Sequence, residues 1–253
     1  MRRKVFIIGI GAGNPDFVTV QAINAMNQVD VFFIPNKGIE KEELARVRHE
    51  IIERYVRDRP FRTVAFKPTG RKREPDGYEA AVSDWHDRVE EEYGKLIMEE
   101  LDASETGAFL VWGDPTLYDS TMRILDRLQA RGDFELDYEV LPGISSIQAL
   151  AARHKVALCN IGRSILISTG RSLAAEGFPN NMDSVVFMLN AERALRAADG
   201  NLDVYWGAYV GMPDEILVAG KLKEVVDDIE RIREDARQGK GWIMDTVLMK
   251  KPS

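Results

Sequence analysis

The feature that most constrains the fold is an alternation of short apolar runs with amphipathic segments. Five runs rich in β-branched and aromatic residues predict buried strands: Val5–Ile10, Val29–Ile34, Thr63–Phe66, Ala108–Trp112 and Phe134–Leu141. Apolar residues recur at helical spacing in five further segments. These are the residues after Thr19, Glu40–Val56, Asp76 to about Ala103, Leu117 to about Ala130, and Ser145–Arg153 after the fifth run. Strands that alternate with helices predict an α/β fold with a doubly wound parallel sheet.

The second half of the chain has a different pattern. Its strand-like runs are Ser164–Ser168, Ser184–Leu189, Asp203–Val210, Ile216–Ala219 and Trp242–Met249, with fewer and shorter helices predicted between them. The turn-like residues 211–214 separate two of these runs and predict an antiparallel hairpin. We therefore predict two domains, residues 1–154 and residues 155–253, the second with a mixed sheet.

Composition excludes several classes of protein. The 253 residues carry a net charge of −7, which argues against a surface that binds nucleic acid over a broad area. The single cysteine, Cys159, leaves no thiolate cluster for a structural zinc, and we expect no metal. No apolar run approaches the about 20 residues of a membrane span, and the apolar stretch after Met1 is too short for a signal peptide. We expect a cytoplasmic protein without a membrane partner.

A glycine-rich loop follows the first predicted strand. It reads Gly9-Ile10-Gly11-Ala12-Gly13-Asn14-Pro15, and its glycines allow the backbone to approach a ligand closely. The dinucleotide fingerprint needs a third glycine where Asn14 stands, and Pro15 interrupts the turn into the helix. The loop therefore argues against a nicotinamide oxidoreductase. A tight turn without any ligand is the alternative interpretation.

Two further loops follow predicted strands at the edge where α/β sheets bind ligands. The first contains Gly113-Asp114-Pro115 with Tyr118, and the second reads Leu141-Pro142-Gly143-Ile144-Ser145-Ser146. An Asp-Pro pair is also common in ordinary turns, and either serine can serve only as a helix N-cap.

In this order and spacing, the three loops resemble those of the tetrapyrrole methylase family of S-adenosylmethionine (SAM) methyltransferases. The strand Val185–Leu189 and the hairpin Tyr205–Gly220 also resemble that family, so the resemblance covers essentially the whole chain. It implies two α/β domains with SAM in the cleft between them, S-adenosylhomocysteine as product, and a homodimer. The residues that it places around SAM are Gly11, Gly13, Pro15, Gly113, Asp114, Pro115, Ser145, Ser146, Met188, Leu189 and Ala208.

An insert between residues 30 and 113 narrows the resemblance. It contains Tyr78–Val82 and Ser83–His86, and it is similar to the branch of the family that also releases an acetyl group as acetate. That branch methylates a precorrin, precorrin-5, at ring carbon 1 in cobalamin biosynthesis. Acetate release needs a nucleophile, such as water, and a group that accepts its proton. The candidates are Tyr118, His86 and Asp84, although a histidine or carboxylate on a helix is more often a packing or surface residue.

The insert also contains the chain's most basic segment. Residues 62–73 carry five basic and no acidic residues, whereas residues 74–105 carry twelve acidic and two basic residues. Arginine binds carboxylates through two parallel hydrogen bonds, so we predict that Arg71, Lys72 and Arg73 bind a polycarboxylate tetrapyrrole. A solvated loop neutralised by the neighbouring acidic helix is the alternative.

Other functions remain open on the sequence alone. Within the same fold, the chain can be a different precorrin methylase, a ribosomal-RNA ribose methylase or a diphthine synthase, although its acidity disfavours an RNA substrate. It can also be a non-catalytic protein that binds SAM or a tetrapyrrole. Methyl transfer requires positioning more than acid–base groups, so no single side chain distinguishes that case.

Overall fold

The computed structural model describes residues 2–36, 42–57, 59–67, 69, 78–189 and 191–252, and for residues 78–86 it describes the backbone alone. The chain divides into two compact units. Unit 1 comprises Met1–Gly11 and Pro15–Gly143, and unit 2 comprises Ala12–Asn14 and Ile144–Ser253. None of the helices in the described ranges is long and apolar enough to cross a membrane.

Unit 1 contains a parallel sheet built from the predicted apolar runs. In the described part of the chain its strands are β1 (Arg2–Gly9), β2 (Val31–Pro35), β3 (Arg62–Phe66), β4 (Thr106–Val111) and β5 (Glu135–Leu141). They lie in the order β3-β2-β4-β1-β5, and each neighbouring pair is parallel. The predicted parallel α/β sheet is confirmed.

Helices cover both faces of this sheet. They are α1 (Val20–Met26), α2 (Glu42–Tyr55), α3 (Tyr78–Glu100) and α4 (Thr121–Arg131). Apolar residues of α1 and α2 pack with Phe6 and Ile8 of β1, whereas those of α3 and α4 pack with Val5 and Ile7. The helix that follows β1 therefore lies on one face and the helix that follows β4 on the other. This change of face places the topological switch point, the usual ligand site of such sheets, between β1 and β4.

Unit 2 contains a mixed sheet. The described strands are β6 (Ile165–Thr169), β7 (Ser184–Met188), β8 (Asp203–Ala208), β9 (Ile216–Lys221) and β10 (Asp245–Lys250), in the order β6-β7-β10-β8-β9. Only β6 and β7 pair in parallel; the other described pairs are antiparallel. The hairpin predicted around residues 211–214 is the β8–β9 pair, and the sheet combines it with the parallel β6–β7 pair.

The helices of unit 2 correct one prediction. They are α5 (Ser146–His154), α6 (Gly170–Glu176), α7 (Ala191–Ala197) and α8 (Leu222–Lys240). The prediction of shorter helices in this half holds for α6 and α7, with seven residues each, but is wrong for α8, which has 19 residues. Its apolar residues Leu222, Val225, Val226, Ile229 and Ile232 recur at helical spacing, and Leu222 and Ile229 are buried, so the sequence itself carries the signal of this long helix.

The division into units also differs from the cut predicted after His154. Helix α5 packs on β8 and β10 of unit 2. The chain passes from one unit to the next before Ile144, ahead of this helix rather than behind it.

Candidate functional site

The loops that follow β1 and β4 meet at the switch point through their backbones. Gly11 N donates to Gly113 O at 3.3 Å, and Gly113 N donates to Gly11 O at 2.8 Å. The φ angles of Gly11, Gly13 and Gly113 are +82°, +124° and +69°, in the left-handed region that side chains disfavour. Both loops therefore present bare backbone at the edge of the sheet where a ligand is expected.

The loop that follows β5 packs against the same two loops. A Cβ atom added to Gly143 would lie 2.0 Å from Gly113 O, and one added to Gly9 would lie 2.6 Å from Gly143 N. These separations are far shorter than any van der Waals contact, so only glycine fits at either position. Direct backbone packing thus brings together the three loops singled out in the sequence.

Asp114 links two of these loops through its carboxylate. Its Oδ2 accepts a hydrogen bond from Gly143 N at 2.9 Å, and its Oδ1 accepts from Thr116 N at 2.8 Å and from the Thr116 hydroxyl. Both carboxylate oxygens therefore fix the conformation of the loops. The neighbouring Pro115 is buried, which holds the same turn.

Helix α4 begins later than predicted. The sequence placed its start at Leu117, but Leu117 N donates to Asp114 O and Tyr118 has a φ of +55°, which is incompatible with a helix. Asp119 Oδ1 accepts from Thr121 N at 2.7 Å, and the helix begins there. The Tyr118 side chain is 49% exposed, and burial of the remainder raises its pKa, so at neutral pH its hydroxyl is a hydrogen-bond donor.

In unit 2, three side chains from three elements form a chain of contacts. Ser146 at the start of α5 donates its hydroxyl to Met188 Sδ at 3.3 Å, and Thr246 of β10 donates to Ser146 Oγ at 2.7 Å. Thr246 lies opposite Met188 in the β7–β10 pair and is buried. The predicted residues Ser146 and Met188 are therefore adjacent, and Thr246 fixes their hydroxyl–sulfur contact.

Ser145 serves as the N-cap of α5. Its Oγ accepts from Ile147 N at 3.1 Å, and its N donates to Gln148 Oε1 at 3.1 Å, which makes a capping box. Its side chain is buried in this cap. Of the two serines, the structure therefore gives Ser145 the capping role and leaves Ser146 in contact with Met188.

The two remaining predicted residues of unit 2 end strands of its sheet. Leu189, directly after β7, has a φ of +66° and a largely exposed side chain. Ala208 is the last residue of β8, is buried, and pairs with Asp245 of β10. Asp245 accepts hydrogen bonds from Trp206 Nε1 at 3.2 Å and Arg233 Nε at 2.9 Å, and this anchors the strand end at Ala208.

The side chains of five predicted residues fall outside the described structure. Arg71, Lys72 and Arg73 lie outside the described residues, and Asp84 and His86 lie on α3 in the part where only the backbone is described. Their predicted roles stay predictions.

The structure adds two residues that the sequence did not indicate. Thr246 joins the Ser146–Met188 contact, and Arg48 of α2 is buried at the carboxyl end of β4, where its Nε donates to Leu110 O at 2.9 Å. Neither lies in a motif, and Arg48 stands in a helix full of charged residues, so no sequence signal separates it from them. Within the described ranges, no group of histidine, cysteine or acidic residues is arranged to hold a metal ion.

Comparisons with a family model and with individual proteins point to the same family. Residues 4–226 match the sequence model of the family described as Tetrapyrrole (Corrin/Porphyrin) Methylases. A protein from Sinorhizobium sp named precorrin-6A synthase [deacetylating] is 49% identical over 250 residues, which cover 98% of this chain and 95% of that protein.

Comparison with solved structures agrees with this family assignment. A cobalamin synthesis related protein (CobF) from Corynebacterium diphtheriae superposes with a TM-score of 0.82 at 31% identity and covers 100% of both chains. Uroporphyrin-III C-methyl transferase from Thermus thermophilus, complexed with S-adenyl homocysteine, has a TM-score of 0.56 at 17% identity, covering 98% of this chain and 97% of that one. The latter likeness supports the fold.

Proposed function

Because the chain belongs to the tetrapyrrole methylase family of SAM-dependent methyltransferases, we propose that it methylates precorrin-5 at ring carbon 1 and releases the acetyl group as acetate, which yields precorrin-6A. The observation that carries this proposal is the 49% identity, over 98% of the chain, to a protein named precorrin-6A synthase [deacetylating]. The reaction balances as SAM, precorrin-5 and water giving S-adenosylhomocysteine, precorrin-6A, acetate and two protons. It places the chain in cobalamin biosynthesis.

SAM supplies a methyl group on a positively charged sulfur, and the chain has to position it and exclude water. In the loops that follow β1 and β4 we assign SAM contacts to Gly11, Gly13, Pro15, Gly113, Asp114 and Pro115; of these, Gly13 belongs to unit 2. Their bare backbone at the switch point supports this assignment. Since Asp114 already accepts hydrogen bonds within the loops, we expect Gly113 and the backbone beside it to make the closer contacts.

In unit 2 we assign SAM contacts to Ser145, Ser146, Met188, Leu189 and Ala208. The Ser146–Met188 contact and the exposed backbone turn at Leu189 support this, whereas Ser145 acts by capping α5. No charged side chain among these residues competes with the sulfonium.

Acetate release requires a proton acceptor and a donor; we propose Tyr118, whose hydroxyl is neutral at physiological pH, as the donor, with His86 and Asp84 as further candidates. Tyr118 is supported by its exposed hydroxyl directly after the Gly113–Pro115 turn. We expect Tyr118→Phe to slow acetate release at least tenfold while S-adenosylhomocysteine binding stays unchanged, measured by enzymatic assay of acetate and by calorimetry. Wild-type acetate release in both Tyr118→Phe and His86→Ala would refute the assignment.

We further propose that Arg71, Lys72 and Arg73 attract the carboxylates of the tetrapyrrole. Arg62, at the start of the same basic segment, is engaged by Glu105 at 2.9 Å, so the remaining cations matter more for substrate. Replacing Arg71 and Arg73 by alanine is expected to raise the KM for the tetrapyrrole and to leave SAM binding intact. An equal loss of tetrapyrrole binding and SAM binding contradicts this role, and so does no loss of either.

The proposed activity is tested by incubating the protein with SAM and precorrin-5 and measuring methylated product and acetate. Equal amounts of the two are expected. Methylation without acetate indicates a different precorrin methylase, and SAM binding without turnover indicates a non-catalytic protein. Titration with SAM, S-adenosylhomocysteine and NAD should give binding of the first two alone.

The remaining proposals concern assembly and setting. We propose a homodimer, which light scattering after size-exclusion chromatography tests, and a cytoplasmic location, which fractionation of the native host tests. We propose that catalysis needs no metal, so dialysis against EDTA should leave the rate unchanged.

A further inference from the structure

Arg48 is a buried arginine in the middle of α2. Its Nε donates to Leu110 O at 2.9 Å and its Nη1 donates to Leu44 O at 2.8 Å. Only 8% of the residue is exposed. Two of its three nitrogens are thus held by neutral backbone carbonyls, and its remaining nitrogen, Nη2, forms no hydrogen bond to a described residue.

The charge of Arg48 is not balanced by a directly bound carboxylate in the part of the chain that the structure describes. Within the described residues no aspartate or glutamate forms an ion pair with it, and Asp119, the carboxylate that acts on it most strongly, already accepts a hydrogen bond from Thr121 N at 2.7 Å. Burial lowers the pKa of Arg48 to about 10, so it is still a cation at neutral pH. Buried cations are normally paired with an anion, and Arg48 has none among the described residues.

Its position connects it to the functional edge of the sheet. Leu110 and Val111 end β4, and the Trp112 ring, 5.9 Å from the Arg48 guanidinium carbon, directly precedes Gly113. Arg48 therefore lies at the carboxyl end of β4, beside the loop assigned to SAM. Its fixed guanidinium is preorganised, because two nitrogens are already bound.

We propose that Arg48 binds one carboxylate side arm of the tetrapyrrole substrate through Nη2 and thereby sets the orientation of the ring. This inference rests on the proposed function, since it takes the substrate to be a polycarboxylate tetrapyrrole. It differs from the role of Arg71–Arg73: those residues attract a polyanion, whereas a buried, fixed guanidinium selects one carboxylate at one place.

The test compares Arg48→Gln with Arg46→Gln, since Arg46 lies on the same helix with an exposed side chain and loses the same charge. Arg48→Gln is expected to raise the KM for precorrin-5 by about tenfold or more, the usual effect of a lost charge-assisted hydrogen bond. The Kd for S-adenosylhomocysteine should change less than about twofold, and Arg46→Gln should leave both unchanged. An unchanged KM in Arg48→Gln overturns the inference, as does an equal loss of S-adenosylhomocysteine binding.

Arg48→Lys is the second variant, because its ammonium can keep one carbonyl contact if the glutamine variant does not fold. Its KM should lie between those of the wild type and Arg48→Gln; where only the lysine variant folds, a wild-type KM overturns the proposed bond from Nη2. If Arg48→Lys and Arg48→Gln raise the KM equally, the positive charge at this position does not contribute to substrate binding, and the inference is overturned.

Uroporphyrin III, a polycarboxylate tetrapyrrole, separates this inference from the proposed function. If the wild type does not convert precorrin-5, the proposed function fails. Binding of uroporphyrin III in the presence of S-adenosylhomocysteine, followed by fluorescence, then still tests Arg48. Weaker binding in Arg48→Gln but not Arg46→Gln supports the carboxylate site, and equal binding overturns it.

Discussion

Thr246 offers a sharp test of how unit 2 contributes to SAM binding. Valine is nearly isosteric with threonine, so Thr246→Val removes the hydroxyl that donates to Ser146 Oγ at 2.7 Å and changes little else. Ser146 keeps its contact with Met188 Sδ, but its oxygen loses a buried donor. A typical hydrogen bond contributes about 0.5–1.5 kcal/mol, which corresponds to an affinity loss of about 2- to 13-fold if Ser146 and Met188 must be fixed to bind SAM.

Thr246→Ser provides the matched control, because it keeps the hydroxyl and loses a buried methyl group. That change should lower the free energy of unfolding by about 0.5–1.5 kcal/mol and leave the SAM affinity close to wild type. Thr246→Val should lower both, with the unfolding free energy reduced by about 1–3 kcal/mol because Ser146 Oγ loses its buried donor.

Calorimetric titration with S-adenosylhomocysteine gives the affinity, and urea denaturation gives the stability. The reasoning is refuted if the two variants weaken binding equally, because packing rather than the hydroxyl then determines affinity. It is also refuted if Thr246→Val binds as tightly as the wild type.

Two further predictions concern stability, both measured by urea denaturation. Gly143→Ala should destabilise the protein by more than about 2 kcal/mol, because the added Cβ would lie 2.0 Å from Gly113 O. Its control is Gly239→Ala in helix α8, where an added Cβ meets nothing within 4 Å, and this variant should stabilise the protein by about 0.5–1 kcal/mol. A Gly143→Ala variant as stable as the wild type would disprove the close packing. Arg3→Met should stabilise the protein by about 1–3 kcal/mol, because Arg3 is 6% exposed and its Nε and Nη1 have no partner among the described residues. Its control is Arg2→Met, which removes an exposed ion pair with Asp137 and should change stability by less than about 1 kcal/mol. Destabilisation by Arg3→Met would show that the guanidinium is satisfied.

The sequence predicts most of unit 1 because the decisive signals are local. A buried parallel strand needs only a short β-branched run, and every predicted run of unit 1 is a strand of its sheet. The Thr19 cap is equally local, since its Oγ1 accepts from Ala22 N at 3.1 Å within one turn. The start of α4 could not be predicted this way, because the Asp114 turn and Tyr118 backbone displace it.

Charge on α3 shows the limit of a local pattern. Acidic side chains of an amphipathic helix such as α3 are expected on its solvent face, but Glu90 is buried and lies 2.7 Å from Arg127 Nε and 3.2 Å from Arg131 Nη1 of α4. Helix periodicity alone does not reveal which carboxylate meets a basic residue from a neighbouring helix about 40 positions later. Part of the acidic face is thus an interhelical contact.

The candidate site also shows that a local sequence pattern does not reveal long-range contacts. The loops of unit 1 are visible in sequence because glycine and proline act through backbone conformation, which the residue type itself specifies. Asp114 reads as a ligand-binding carboxylate, yet both its oxygens hold the loops that follow β4 and β5. Ser146 gains its partner Thr246 from a strand 100 residues away, and only the fold brings them together. The motifs therefore indicate where the candidate site lies, whereas long-range contacts decide which of their side chains are already engaged within the fold.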